Sequence, residues 1–119
     1  MMTMRELSAY FDERSKLREI NLTLEGLRQY WEKGQDSIEL SEGIAALEEE
    51  ARTKAAELEA KAEKVRAALD SVEDVLDRTL AKLHYCGGMT WDEAGAFCGL
   101  LGNTAKHRAY RAMRKTIPK

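Results

Sequence analysis

The chain predicts an all-α fold, a long antiparallel helical hairpin of coiled-coil type followed by a C-terminal helix-turn-helix, and three observations carry that expectation. The composition is 44% apolar and 34% charged, with a single Pro among 119 residues, which is the mixture of long amphipathic helices. Apolar residues recur in steps of three and four, the helical spacing, over most of the length. Glycines at 34, 87, 88 and 99 fall between those periodic stretches, where a chain needs backbone freedom to turn. The expected division is an oligomerising hairpin over residues 1–83 and a helix-turn-helix over residues 84–119.

The first helix is expected from Leu7 onward, with Leu17, Ile20, Leu24, Leu27 and Trp31 forming a narrow seam that calls for a partner helix. Trp31 is expected in that core. The seam ends at "KGQDS", where Gly34 supplies a C-terminal cap and Asp36 is expected to cap the next helix, with Glu39 completing a capping box. The second helix is expected to run unbroken from about Ser37 to His84, through Ile44, Leu47, Ala51, Ala55, Leu58, Ala62, Val65, Leu69, Val72, Leu76 and Leu83. Small Ala55 and Ala62 would allow close helix approach. A helix of about 45 residues extends on the order of 70 Å, longer than the first helix can cover. The strip from Val65 to Leu83 must therefore be buried by the C-terminal segment, by a second copy, or by both. Pairs such as Glu50–Lys54 and Glu57–Lys61 read as a solvated face.

After Tyr85, "CGGMT" breaks the helix, and Thr90 with Glu93 has the spacing of a second capping box. A short helix from Trp91 to about Cys98 is followed by Gly99, placed for a tight inter-helix turn. Asn103 or Thr104 is expected to cap a last helix reaching about Thr116. Gly95 would let the two helices cross closely, Trp91 would close a small core, and Ala105, Ala109, Ala112, Met113 and Ile117 would form the inner stripe.

Charge is segregated along this plan. Residues 1–38 hold six basic and seven acidic side chains, residues 39–83 seven and twelve, and residues 84–119 six and two. A net acidic chain thus keeps its basic surplus for the last helix, which suggests that this part alone faces a polyanion. The expected arrangement is a helix in the major groove of duplex DNA, with Asn103, Lys106, His107 and Tyr110 toward bases or sugar edges and Arg108, Arg111, Arg114 and Lys115 toward phosphates.

The stretch "TWDEAGAFCGLLGNTAKHRAYRAM" resembles the helix-turn-helix of region 4 in bacterial sigma factors, through Thr90, Trp91, Asp92, Glu93, Gly99, Arg111 and Ala112. A long helical N-terminus ahead of such a motif is similar to small phage and prophage regulators of the RinA and ArpU kind. The resemblance covers about thirty residues by motif and the rest only in architecture. It departs from the family at Leu101, usually Ser, and at Arg108, usually apolar. It implies a transcriptional regulator that binds DNA, with RNA polymerase as a candidate host partner; the coiled-coil seam adds the expectation of a homodimer or higher oligomer, and the lack of a membrane span or signal pattern that of a cytoplasmic location. Two other readings fit the same helices: an inhibitor or adaptor acting on a host nucleoprotein complex such as a defence nuclease, in the manner of an anti-CRISPR protein, or a DNA-packaging recognition subunit.

No apolar run has the length of a membrane span, and the N-terminus lacks the pattern of a signal peptide. Cys86 and Cys98 are expected to be reduced. With His84 and His107 they match no standard zinc spacing, so no metal or cofactor is expected. No nucleophile elbow or phosphate-binding loop is present, and the chain reads as non-enzymatic.

Overall fold

The computed structural model describes residues 1–35 and 37–119, and these form five helices. They are α1 (Met4–Glu32), α2 (Ile38–Asp70), α3 (Val75–Tyr85), α4 (Trp91–Phe97) and α5 (Gly102–Met113). The molecule measures 53 × 31 × 17 Å, a rod made by the α1–α2 hairpin with α3, α4 and α5 gathered at the end where both chain termini lie.

Helix α1 starts at a capping box: the Glu6 amide donates to Thr3 Oγ1 at 3.1 Å, and the Thr3 amide donates to Glu6 Oε1 at 3.2 Å. Gly34, with φ +80°, follows its end. The expected Asp36 cap lies outside the described residues. Ser37 occupies the N-cap of α2, its hydroxyl accepting from the Leu40 amide at 3.0 Å. Leu7, Leu17 and Leu24 of α1 and Leu58, Ala62, Val65 and Leu69 of α2 are the buried residues of the seam.

The expected single second helix is broken. It stops at Asp70, and α3 starts afresh after Asp74, whose carboxylate accepts from the Asp77 amide at 3.0 Å. Ser71 Oγ turns back to the Ala68 carbonyl at 2.6 Å, and Arg78 holds the Val72 carbonyl at 2.9 Å. Short polar side chains bonding to the nearby backbone compete with helix continuation, and the break brings Val72 and Leu80 into the core, 1% and 0% exposed. The apolar strip is thus folded onto the C-terminal helices. A single cluster of buried side chains runs from Met2 and Leu7 through Val65, Leu69 and Leu80 to Ala94, Ala105, Met113 and Ile117.

Toward its tip the hairpin has only one partner for each helix, and the seam opens. Leu27, Ile44 and Leu47 are half-buried, while Trp31 is 43% exposed, against the expectation that it is core. Ala55 is exposed as well. Its neighbour Lys54 reaches across to Glu13 of α1 at 3.0 Å instead of pairing with Glu50. Within α2 the ion pairs are Glu49–Arg52 and Glu63–Arg66, both three apart. Pairs this exposed contribute little to stability.

Candidate nucleic-acid interface

Two arginines of α1 fix the start of the short-helix pair. Arg14 Nε donates to the Cys86 carbonyl at 2.9 Å. Arg18 donates to the Gly88 carbonyl at 3.0 Å and grips both Glu93 oxygens, at 2.7 and 2.6 Å. Glu93 also completes the expected capping box with Thr90. Arg18, and then the Thr90 amide, hold the Glu93 carboxyl down to about 2. The forked geometry makes α1 an orienting strut for α4.

Behind α4 lies a ladder of rings that sequence reading did not find. His84 is sandwiched between Phe11 (centroids 3.9 Å apart) and Trp91 (3.8 Å), nearly parallel to both. Trp91 in turn meets Tyr110 at 5.7 Å. The His84 Nδ1 proton goes to the Met89 carbonyl at 2.7 Å. Burial lowers the His84 pKa to about 4, against the opposing pull of that bond, so the ring is neutral at physiological pH. Burial likewise raises the Tyr85 phenol, with the Tyr110 hydroxyl adding to the shift. Trp91 was expected as core and Phe11 falls in the apolar spacing of α1, but neither pointed to His84. Phe11 and His84 are brought together by the crossing of α1 and α3.

Helix α4 ends at Phe97 and the chain reverses through Gly99 at φ +73°. The Leu100 amide donates back to the Gly95 carbonyl at 2.8 Å. A Cβ on Gly95 would lie 2.7 Å from the Leu100 carbonyl oxygen and 3.3 Å from the Ala105 methyl, which is the close crossing expected at that position. Helix α5 begins earlier than expected: Leu101 is its N-cap and offers no side-chain cap, so Asn103 and Thr104 lie inside the first turn. The Asp92 carboxylate sits against Gly102, in the space a Cβ there would need. The helix also ends earlier, at Met113, after which Ile117 turns back, its amide on the Met113 carbonyl at 2.8 Å.

Ala105, Ala109 and Met113 are fully buried, and Ile117 extends that stripe. On the other side Asn103, His107, Arg111 and Arg114 are exposed, flanked by exposed Lys106 and Lys115. Tyr110 is half-buried on Trp91, and Lys106 Nζ lies 5.8 Å from its ring centre, which leaves the ring as a side wall of the surface. Arg108 departs from its expected phosphate role. Its Nε donates to Asp77 at 2.8 Å, with Asp74 at 3.6 Å. These carboxylates, at the N-cap and in the first turn of α3, pair with Arg108 and tie α5 to the start of α3. Among the described residues, no carboxylate lies within ion-pairing distance of Lys106, Arg111, Arg114 or Lys115. None of the described helices is long and apolar enough to cross a membrane, and no described cluster of His, Cys, Asp and Glu could hold a metal ion.

No protein-family model, curated protein or solved structure matches this chain.

Proposed function

We propose that the chain is a DNA-binding transcriptional regulator of phage or prophage type, which presents α5 to the major groove of duplex DNA. The observation that supports this most is the state of the cations. In α1 and α2 six of the ten Lys and Arg side chains pair with carboxylates across or along helices, whereas on α5 and just after it Lys106, Arg111, Arg114 and Lys115 stand together, exposed and all without carboxylate partners among the described residues. Four like charges on one face repel each other unless a polyanion neutralises them. The stripe Asn103, His107, Arg111, Arg114 adds side chains able to reach base edges between phosphate contacts. The resemblance to sigma region 4 carries the reading from DNA binding to transcription. The coiled-coil hairpin would join two copies, giving two half-sites.

Fluorescence anisotropy with a short random-sequence duplex, over a series of salt concentrations, tests the reading. Replacing Lys106, Arg111 and Arg114 together by Ala is expected to weaken binding by about one to two orders of magnitude. The slope of log K against log salt should become shallower by about 2 to 3, near 0.9 per lost phosphate contact. Arg108→Ala is expected to leave that slope near wild type while lowering stability slightly, because its partners are the carboxylates of Asp74 and Asp77 at the start of α3. Equal, weak binding by the intact chain and the triple variant, with helicity retained in both, would rule out DNA as the ligand of α5.

A further inference from the structure

The neutral end of α5 differs from its cationic body in a way that the phosphate contacts do not explain. Leu101, 79% exposed, stands at the N-cap, a place where a Ser, Thr, Asp or Asn side chain would satisfy the first amides of the helix. An exposed Leu there serves neither cap nor core. The next residue, Gly102, leaves no side chain in the way, and the Asp92 carboxylate lies against it. That carboxylate already occupies the positive end of the helix dipole and repels a phosphate. Then comes exposed Asn103, and no cation appears before Lys106. The leading end of α5 thus offers an apolar, an amide and a hydroxyl side chain (Leu101, Asn103 and Thr104) beside an acid, a surface poor in positive charge and suited to an uncharged edge.

We infer, on the basis of the DNA reading above, that Leu101 reads a thymine C5-methyl group in the major groove, with Asn103 beside it on an A·T-containing step. In a helix-turn-helix the N-terminal residues of the second helix meet base edges. The thymine methyl is the one apolar group those edges present, and Asn matches adenine N6 and N7. Phe97, 74% exposed at the end of α4, belongs to the helix that crosses the backbone in this docking, and it serves as the control.

The experiment starts with selection of preferred duplexes from a random library by the full chain. Thymines of the selected sequence are then replaced by deoxyuridine, which removes the methyl and keeps every hydrogen bond and phosphate. Roughly three- to five-fold weaker binding is expected at one thymine per half-site, the worth of one buried methyl, with the loss absent in Leu101→Ala and retained in Phe97→Ala. Salt-dependent binding that is indifferent to the methyl, or a methyl effect that survives Leu101→Ala, overturns the inference and leaves the DNA reading standing. Absence of salt-dependent DNA binding removes both. Anionic phosphatidylglycerol vesicles provide a further arm: cosedimentation lost in Leu101→Ala, alongside methyl-indifferent DNA binding, would assign the residue to a lipid surface instead.

Discussion

Gly95→Val is expected to cost about 3 kcal/mol of unfolding free energy and, under the proposed function, most affinity for duplex DNA, although it touches no cation. A single added Cβ would meet the Leu100 carbonyl oxygen at 2.7 Å, and that oxygen belongs to the backbone of the turn and cannot rotate aside. Two further methyls must then push into Ala105, which is fully buried. Overpacking of this kind costs 1–3 kcal/mol where side chains can yield, and here the obstacle is mainly backbone. The cost is borne by the α4–α5 crossing, so α5 loses its angle to the rest of the fold before the hairpin unfolds. Gly43→Ala provides the contrast. Nothing lies within 4 Å of a Cβ there, the site is in the exposed interior of α2, and the substitution should stabilise by about 0.5–1 kcal/mol through helix propensity. Urea unfolding of the two variants, with anisotropy on duplex DNA, reads both effects. A Gly95→Val protein as stable as wild type would mean that the two helices do not cross at this residue.

The same glycine shows what was legible in the sequence. Helices, their inner stripes and the Thr90–Glu93 box follow from local spacing, and local spacing survives folding. The Gly95 crossing was legible because a small residue four before a Gly turn has few other uses. What failed was competition between nearly equal local options. Between Ser71 and Asp74 the three-four stepping continues without a Gly or Pro, so periodicity predicted one helix. The signal for the break was Asp74 three residues before Asp77, an N-cap pattern inside an apolar repeat. At α5 the polar Asn103 and Thr104 were the obvious caps, yet the short turn after Gly99 commits the chain to helix one residue before they arrive.

For the candidate interface, the exposed stripe Asn103, His107, Arg111, Arg114 was readable as the face opposite Ala105, Ala109 and Met113. The fate of Arg108 was not, because its partners Asp74 and Asp77 lie more than thirty positions earlier in the chain and meet it only when α3 folds back. Charge counting treats every cation as equal. Folding divides them into those paired with carboxylates that hold α5 in place and those left exposed and unpaired. The clamp of Arg18 on Glu93 belongs to the first group, and it extends the support of α4 and α5 back to α1.

The support has a weak point in acid. His84 is stacked between Phe11 and Trp91 and is only 6% exposed, and burial places its pKa at about 4, against an ordinary 6.5. The folded state therefore disfavours the imidazolium, and between those two values the unfolded chain binds the proton more readily. Stability from this group is complete above about pH 6.5 and is lost as the pH falls toward 4, by on the order of 2–3 kcal/mol across the window. Glu93, its carboxyl depressed from 4.5 to about 2 by Arg18, acts in the same direction at lower pH: its contribution is present above 4.5 and fades as the pH drops through about 2. His84→Phe separates the two. Phe keeps a flat ring between Phe11 and Trp91 but gives up the bond to the Met89 carbonyl, so at neutral pH it should be less stable than wild type by about 1 kcal/mol. Having no proton to gain, it should hold its stability down to about pH 4.5, and the two curves of urea-derived stability against pH should cross between 6.5 and 4. Parallel curves would show that His84 does not carry the acid sensitivity, and would place its ring outside the stack.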